Sequence, residues 1–177
     1  NGGTLSISSD DNLGAVPGSV QSSHLVFGGG TLQTTAGFTL NSNRGINLSG
    51  NGTINTNSST QLDYGGQIQG SGSLTKDGAG TLLLIAANNF SGNLNIDGGT
   101  LSASAVNQLG STTGSNTITF DGGTLLATSD FTLDTNRGIS LDGNGGFNVD
   151  DGVTLDYAGV ISGSGALTKS GTGNFLL

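Results

Sequence analysis

Adjacent carboxylates are the groups of this sequence best suited to chemistry, and two such pairs occur, Asp10-Asp11 and Asp150-Asp151. Neighbouring carboxyls can divide general-acid and general-base work, or share a Ca²⁺ ion. Neither pair recurs where the sequence repeats itself: positions 57 and 58, the counterparts of Asp150-Asp151, are Asn and Ser. No Arg, Lys or His stands close in sequence to complete a site, so both pairs read as solvated turns. The segment Gly143–Gly152, GNGGFNVDDG, has the Gly/Asp character of Ca²⁺-binding rolls. Those rolls need consecutive nine-residue copies, so that carboxylates of neighbouring turns share one ion. Here the counterpart, SGNGTINTNSS, carries no acid. His24 is the sole histidine and has no partner at metal-ligand spacing. Gly-rich stretches such as GSGSLTKDGAG lack a following helical pattern to supply an anion-binding terminus. Four glycosylation-type triplets, at Asn47, Asn51, Asn57 and Asn89, are what chance gives in a chain so rich in Asn, Ser and Thr. No catalytic, cofactor-binding or metal-binding residue is expected.

The remaining charged side chains come in matched sets. All four bases form two pairs at an offset of 93 residues, Arg44 with Arg137 and Lys76 with Lys169. Asp63 and Asp156 match at the same offset, as do Tyr64 and Tyr157. Catalysis needs a residue once, whereas a structural ion pair or turn lock is needed in every repeat. These positions are therefore expected to hold the structure, with a multivalent ligand surface as the second reading.

The elements behind them repeat as well. LDYGGQIQGSGSLTKDGAGTLLL, from Leu62, returns from Leu155 as LDYAGVISGSGALTKSGTGNFLL, 93 residues on. GGTLS at Gly2 returns at Gly98, an offset of 96, so the two copies differ by three residues between these blocks. The reading is two tandem units, 1–97 and a truncated 98–177, forming one continuous solenoid. Within them, short alternating runs such as Leu5/Ile7, Phe38/Leu40, Ile46/Leu48 and Leu94/Ile96 end in Gly, Asn, Asp or Ser. Half-buried strands bounded by tight turns read this way, and about ten fit each unit. The expected fold is all-β, a right-handed parallel β-helix of roughly seven or eight coils of about 20 to 30 residues. An antiparallel sandwich is the rival, but regular Asn-Gly hairpin spacing is missing. Phe27/Phe120, Phe38/Phe131, Ile54/Phe147 and Leu82/Phe175 keep an apolar residue at matched positions, as inward ladders would. Two longer excursions, Ser8–Ser23 and Ser102–Thr117, interrupt the strands; each carries a Leu-Gly, at Leu13 and Leu109, placed to tuck against the rod. Variable loops on a regular shaft are where binding resides.

Composition agrees with this architecture. The chain has 34 Gly, one Pro, and no Cys, Met or Trp, and its twelve acids are all Asp. Turn-formers replace helix-formers. A net charge of −8 with only four bases argues against nucleic acid and anionic membranes as partners. The longest apolar run, Leu82 to Ala87, is too short to span a bilayer, so no direct membrane insertion is expected of this segment. Without an initiating Met or signal peptide, the chain reads as a piece of a longer protein.

The stretch Gly70–Leu101, GSGSLTKDGAGTLLLIAANNFSGNLNIDGGTL, resembles the autotransporter-associated β-strand repeat, also called the passenger-associated transport repeat. Leu74, Lys76, Gly78, Gly80, Thr81, Leu82, Leu84, Asn89, Phe90, Gly92, Gly99 and Leu101 fall on the family pattern. Leu167, Lys169, Gly171 and Gly173 match it again, but Asn174-Phe175 departs where the family has Thr-Leu. The resemblance implies a non-enzymatic passenger segment of a type V secreted protein. Its place would be extracellular, at the Gram-negative cell surface, as a shaft that aids outward transport and presents adhesive parts. The expected partners are the rest of the parent polypeptide or end-to-end copies of itself, with a host glycan or protein as ligand. An adhesin module or a self-assembling fibre subunit is the alternative.

Overall fold

Runs of three to five residues that bury only alternate side chains cannot satisfy their backbone groups alone. In the computed structural model, which describes residues 2–177, each run pairs in parallel with the run about 22 residues away. The product is a parallel β-helix with three faces. Eight strands stack on the first face: Thr4–Ile7, Thr31–Thr34, Gly52–Thr56, Leu74–Asp77, Leu94–Ile96, Ile118–Phe120, Ile139–Leu141 and Ile161–Gly163. Seven stack on the second: Phe38–Leu40, Gln61–Tyr64, Thr81–Leu84, Thr100–Ala103, Thr124–Ala127, Gly145–Val149 and Leu167–Ser170. The third face is split into Gln21–Phe27, Arg44–Leu48 and Ile68–Gly70, then Phe131–Thr132, Thr154–Asp156 and Asn174–Leu176. Irregular backbone carries that face across the gap, with Asn89 N–H donating to the Ile68 carbonyl and Ser111 N–H to Phe90, both at 2.9 Å.

Coil length varies where the excursions lie. First-face partners run Thr4, Thr31, Thr53, Thr75, Asn95, Thr119, Ser140 and Ser162. The longest steps, Thr4 to Thr31 and Asn95 to Thr119, contain the two excursions. Each excursion holds one turn of 3-10 helix, Asp10–Leu13 and Val106–Leu109, the only helical turns among the described residues. Leu109 is fully buried and Leu13 partly, so both tuck against the rod.

The sequence repeat and the coil do not share a period. Arg44–Leu48 lies on the third face, yet its counterpart 93 residues on supplies Ile139–Leu141 of the first. Gly52–Thr56 likewise moves from first face to second, and Gln61–Tyr64 from second to third. One unit therefore spans thirteen face positions, four turns and a third, and eleven of them carry strands, close to the ten expected from the sequence. The strands are shorter than their apolar runs suggested, because a corner follows every few residues. Equivalent residues of the two units face different directions.

Inside, apolar ladders climb the faces. Phe38, Leu62, Leu82, Leu101, Leu125 and Phe147 stack in register on the second face. The Phe120 and Phe147 rings meet edge-on at 5.1 Å, and Phe147 continues to Phe175 at 4.4 Å. One rung pair departs: Thr34 and Thr56 stack inward, fully buried, with hydroxyls that have no partner. A buried hydroxyl without a hydrogen bond costs about 1–3 kcal/mol. Thr56→Val should therefore raise stability by about 1 kcal/mol, read as a higher urea midpoint; a lowered midpoint would show that the hydroxyl is satisfied in solution.

Candidate functional site

Three of the four bases are inside the rod. Arg44 is fully buried at the start of its strand, beneath the first excursion. Its Nε donates to Asp10 Oδ1 at 2.9 Å, Nη1 to the Leu13 carbonyl at 3.2 Å, and Nη2 to Asp10 Oδ2 at 3.2 Å and the Gly14 carbonyl at 2.5 Å. Nη1 also lies 2.9 Å from His24 Nε2, which must accept, because a guanidinium has donors only. Arg137 repeats the arrangement without an acid: Nη1 donates to Leu109 O at 2.9 Å, Nη2 to Ser111 O at 2.7 Å, and Nε to Asn116 Oδ1 at 3.1 Å. Each guanidinium caps the carbonyls of an excursion that have left the ladder. Tyr64 and Tyr157 complete the locks, donating to the carbonyls of Arg44 at 2.9 Å and Arg137 at 2.8 Å. Gly66 makes room for this contact; a Cβ there would lie 2.5 Å from the Tyr64 hydroxyl.

Lys76 occupies a rung of the core itself, between Ile54 and Ile96. Its Nζ donates to the carbonyls of Asp77 at 2.7 Å, Gly78 at 2.9 Å and, on the next coil, Gly98 at 3.0 Å. Burial pushes its pKa down to about 8, opposed by the Asp77 carboxylate, so the ammonium stays charged at neutral pH. Lys169, in the last coil, makes only the Ser170 and Gly171 contacts and is exposed. These positions are structural locks, as their repetition suggested. Asp63 and Asp156 are not: both point outward, and Asp63 accepts only from Gln61 Nε2 at 2.6 Å.

The outer surface of the first face carries the most regular chemistry. Thr4, Thr31, Thr53 and Thr75 form a row, continued by Asn95, Thr119, Ser140 and Ser162. Two residues further along each strand runs a second row: Ser6, Gln33 and Asn55, then Asp77, Asp97, Asp121 and Asp142. Backbone bonds from Asp97 to Lys76 O, Asp121 to Ile96 O and Asp142 to Phe120 O, at 2.9 to 3.1 Å, fix the four carboxylates on successive coils. Desolvation raises the Asp97 pKa above its usual value, and the charges of Asp121, Asp77 and Asp142 raise it further. The row was not visible as adjacent acids, because its members are 20 to 24 residues apart; the Asp-Gly dipeptides at 77, 97, 121 and 142 were its trace. Asp11, Asp150 and Asp151 are exposed, and Asp10 is partly buried over Arg44. Among the described residues, no three acid or histidine side chains converge as metal ligands would.

Sequence reasoning also missed Asn88. It is buried beside the motif's exposed Asn89, accepts from Ile68 N–H at 2.7 Å and donates to Gln108 O at 2.6 Å. Gln108 in turn donates to Ile85 O at 2.8 Å, so the pair sews the third face where its strands lapse.

Comparison with known proteins bears on this stretch directly. Residues 74–103, containing the Lys76 lock, Asn88 and Asp97, match the passenger-associated-transport-repeat family. Over 111 residues, 63% of the chain, the sequence is 41% identical to an adhesin autotransporter, BmaC, of Brucella suis biovar 1 (strain 1330). The match spans only 3% of that protein's length. No solved structure matches the chain.

The two arginine locks should respond differently to pH. Burial opposes ionisation of Asp10, but the Arg44 hydrogen bond, the Asn41 N–H and the charge of Arg44 outweigh it, so its pKa is lowered. A lowered carboxyl pKa contributes stability above the ordinary value that is lost as pH falls through the folded value. Arg44→Met should cost about 3–5 kcal/mol by leaving the Asp10 charge unpaired, and Arg137→Met about 1–3 kcal/mol for each buried carbonyl left uncapped. Only the Arg44 lock should weaken on acidification below about pH 4, and Asp10→Asn should abolish that sensitivity in urea titrations across pH.

Asp97 has the opposite sign. Its folded pKa lies above 3.8, so the native state holds the proton more tightly, and this group gains stability as pH falls from its folded value towards 3.8. Asp97→Asn should raise the thermal midpoint at pH 7 and low salt, with the gain shrinking in high salt; an unchanged or lowered midpoint would show that the row does not repel.

Proposed function

We propose that this autotransporter passenger repeat region is a non-enzymatic length of surface shaft, two tandem units (1–97 and 98–177) folded as one solenoid. The stacked parallel coils carry this reading, because each coil hydrogen-bonds only to its neighbours and the rod can grow one coil at a time. Burying an apolar side chain gains about 1.5–3 kcal/mol, and ordering entropy cancels most of a coil's total. A residual bias of about 1 kcal/mol per coil suffices to oppose backsliding of a chain emerging from a pore. The Lys76 lock serves such growth, since its third bond forms only when the Gly98 coil arrives.

The likeness to an autotransporter adhesin supports exposure at the bacterial surface and a role in attachment. An adhesive surface on the rod itself is favoured by the regular polar rows of the first face. The covalent continuation of the rod in its parent is the partner at either end. In a strain exporting the parent passenger, Lys76→Met should slow the appearance of protease-accessible passenger at the surface several-fold without changing synthesis. Export at the wild-type rate would remove the ratchet from the proposal.

A further inference from the structure

The two excursions are fastened by different means. In the second, Gln108 and Leu109 are buried, so packing holds it to the rod. In the first, every residue from Gly14 to His24 except Pro17 is exposed, and hydrogen bonds do the holding. Arg44 Nη2 donates to the Gly14 carbonyl, Asn43 Nδ2 to the Pro17 carbonyl at 2.8 Å, and Gln21 N–H to the Asn43 carbonyl at 2.8 Å. One contact of Arg44 is unlike the rest: its Nη1 lies 2.9 Å from Nε2 of His24, the sole histidine. A bulge puts the ring there. Gln21 and Leu25 stand opposite Arg44 and Ile46, a step of four residues against a step of two. The bulge lies directly on Gly45, where a Cβ would meet the Gln21 carbonyl oxygen at 2.5 Å. At the counterpart, Gly138, the nearest atom to a Cβ is Thr117 Oγ1 at 3.8 Å, and Thr117 is the residue that stands where His24 does. Bulge and histidine belong to the first unit alone.

We propose that the first excursion is a pH-operated strap: neutral His24 helps to fasten it through Arg44, and protonation of the ring lets Gly14–Ser23 lift from the rod. This goes beyond the shaft reading and does not depend on it. A guanidinium has donors only, so the contact exists only while Nε2 keeps its lone pair. Protonation leaves donors and positive charges on both sides of it. The ionisable groups around the ring are Arg44, from the strand Arg44–Leu48, and Asp10, from the turn Asp10–Leu13. Behind Arg44 stands Tyr64, of the strand Gln61–Tyr64, whose hydroxyl donates to the Arg44 carbonyl. Only Asp10 is negative, and its two oxygens already accept from Nε and Nη2 of Arg44. It can take a charged imidazole only by giving up a guanidinium bond. Whether the ring leaves or Arg44 turns, the fork that holds the Leu13 and Gly14 carbonyls loses its fixed position. Histidine changes charge between about pH 5 and 8, where Asp10, with its lowered pKa, stays ionised. The second excursion is under no such control, because Arg137 bonds to the Leu109 and Ser111 carbonyls and to Asn116, none of which titrates.

The test is amide hydrogen exchange of the purified chain at about pH 8 and about pH 5, the limits between which histidine changes charge. Rates are expressed as protection factors, so that the intrinsic pH dependence of exchange cancels, and the single imidazole is followed by NMR over the same range. Protection of the Gly14 and Gln21 amides, which donate to the Asp11 and Asn43 carbonyls, should fall at least fivefold on acidification and track the imidazole titration. The Ser111 amide of the second excursion, which donates to Phe90 O, should keep its protection. His24→Gln, which retains a neutral acceptor, should hold Gly14 and Gln21 protected at both pH values. His24→Ala, which has none, should leave them weakly protected at both. Unchanged protection in the wild type, a loss that does not track the imidazole, or an equal loss at Ser111 would each overturn the proposal. So would an equal acid loss in His24→Gln, or wild-type protection at the higher pH in His24→Ala.

Discussion

Parallel stacking in register means that each side chain lies about 4.8 Å from the equivalent one on the coils above and below. That one spacing governs the molecule. Apolar residues gain from it, and the core is accordingly made of ladders such as Leu62, Leu82, Leu101 and Leu125. Aromatic residues gain as well, and Phe120, Phe147 and Phe175 form a short stack. Like charges lose from it, so a carboxylate row such as Asp77, Asp97, Asp121 and Asp142 stores repulsion in proportion to its regularity. A folded protein keeps such a row only where other interactions hold the coils together. Here the backbone ladder beneath and the Lys76 lock beside it do so.

The same spacing explains why the bases are inside. A coil that lengthens, as at the two excursions, lifts carbonyls away from the partners that the ladder would supply. A guanidinium offers five donors in a planar fork and can cap several such carbonyls at once. Arg44 and Arg137 do this for Leu13 with Gly14 and for Leu109 with Ser111. In the first unit a carboxylate, Asp10, neutralises the buried charge; in the second, Asn116 and backbone carbonyls suffice. The lock is thus defined by carbonyl capping, with the ion pair as an addition. Withdrawing these cations leaves the exterior almost purely acidic, so a structural need of the excursions shapes the electrostatics of the whole surface.

Much of the fold was legible because alternation and turn residues are local signals. Leu94-Asn95-Ile96 announces a half-buried strand with no knowledge of its neighbours. The 93-residue echo announces stacking, and the match of Arg44 to Arg137 correctly marked them as structural. What stayed hidden depends on register. The match of Lys76 to Lys169 marked it as structural, but that it fills a rung of the core between Ile54 and Ile96 follows only from the register. Asn88 and Asn89 differ only in parity, and the buried one could be identified only once Phe90 was known to point inward. The carboxylate row needed the coil lengths, which vary from 20 to 27 residues and cannot be read from a repeat of 93.

The mismatch between repeat and coil has a consequence for how such a chain evolves a surface. Had 93 residues spanned a whole number of turns, duplication would have extended every face unchanged, and surface chemistry would simply follow descent. With a third of a turn left over, duplication rotates each face onto the next and scrambles any pattern on the outside. The core tolerates this, because all three faces want the same inward residues; Ile54 gives way to Phe147 and remains buried. The exterior follows the repeat in part: Thr31, Thr75 and Asn55 of the first face return unchanged as Thr124, Thr168 and Asn148 of the second. The carboxylates gather on the first face, whereas the second admits Leu83 and Leu126 among its outward positions.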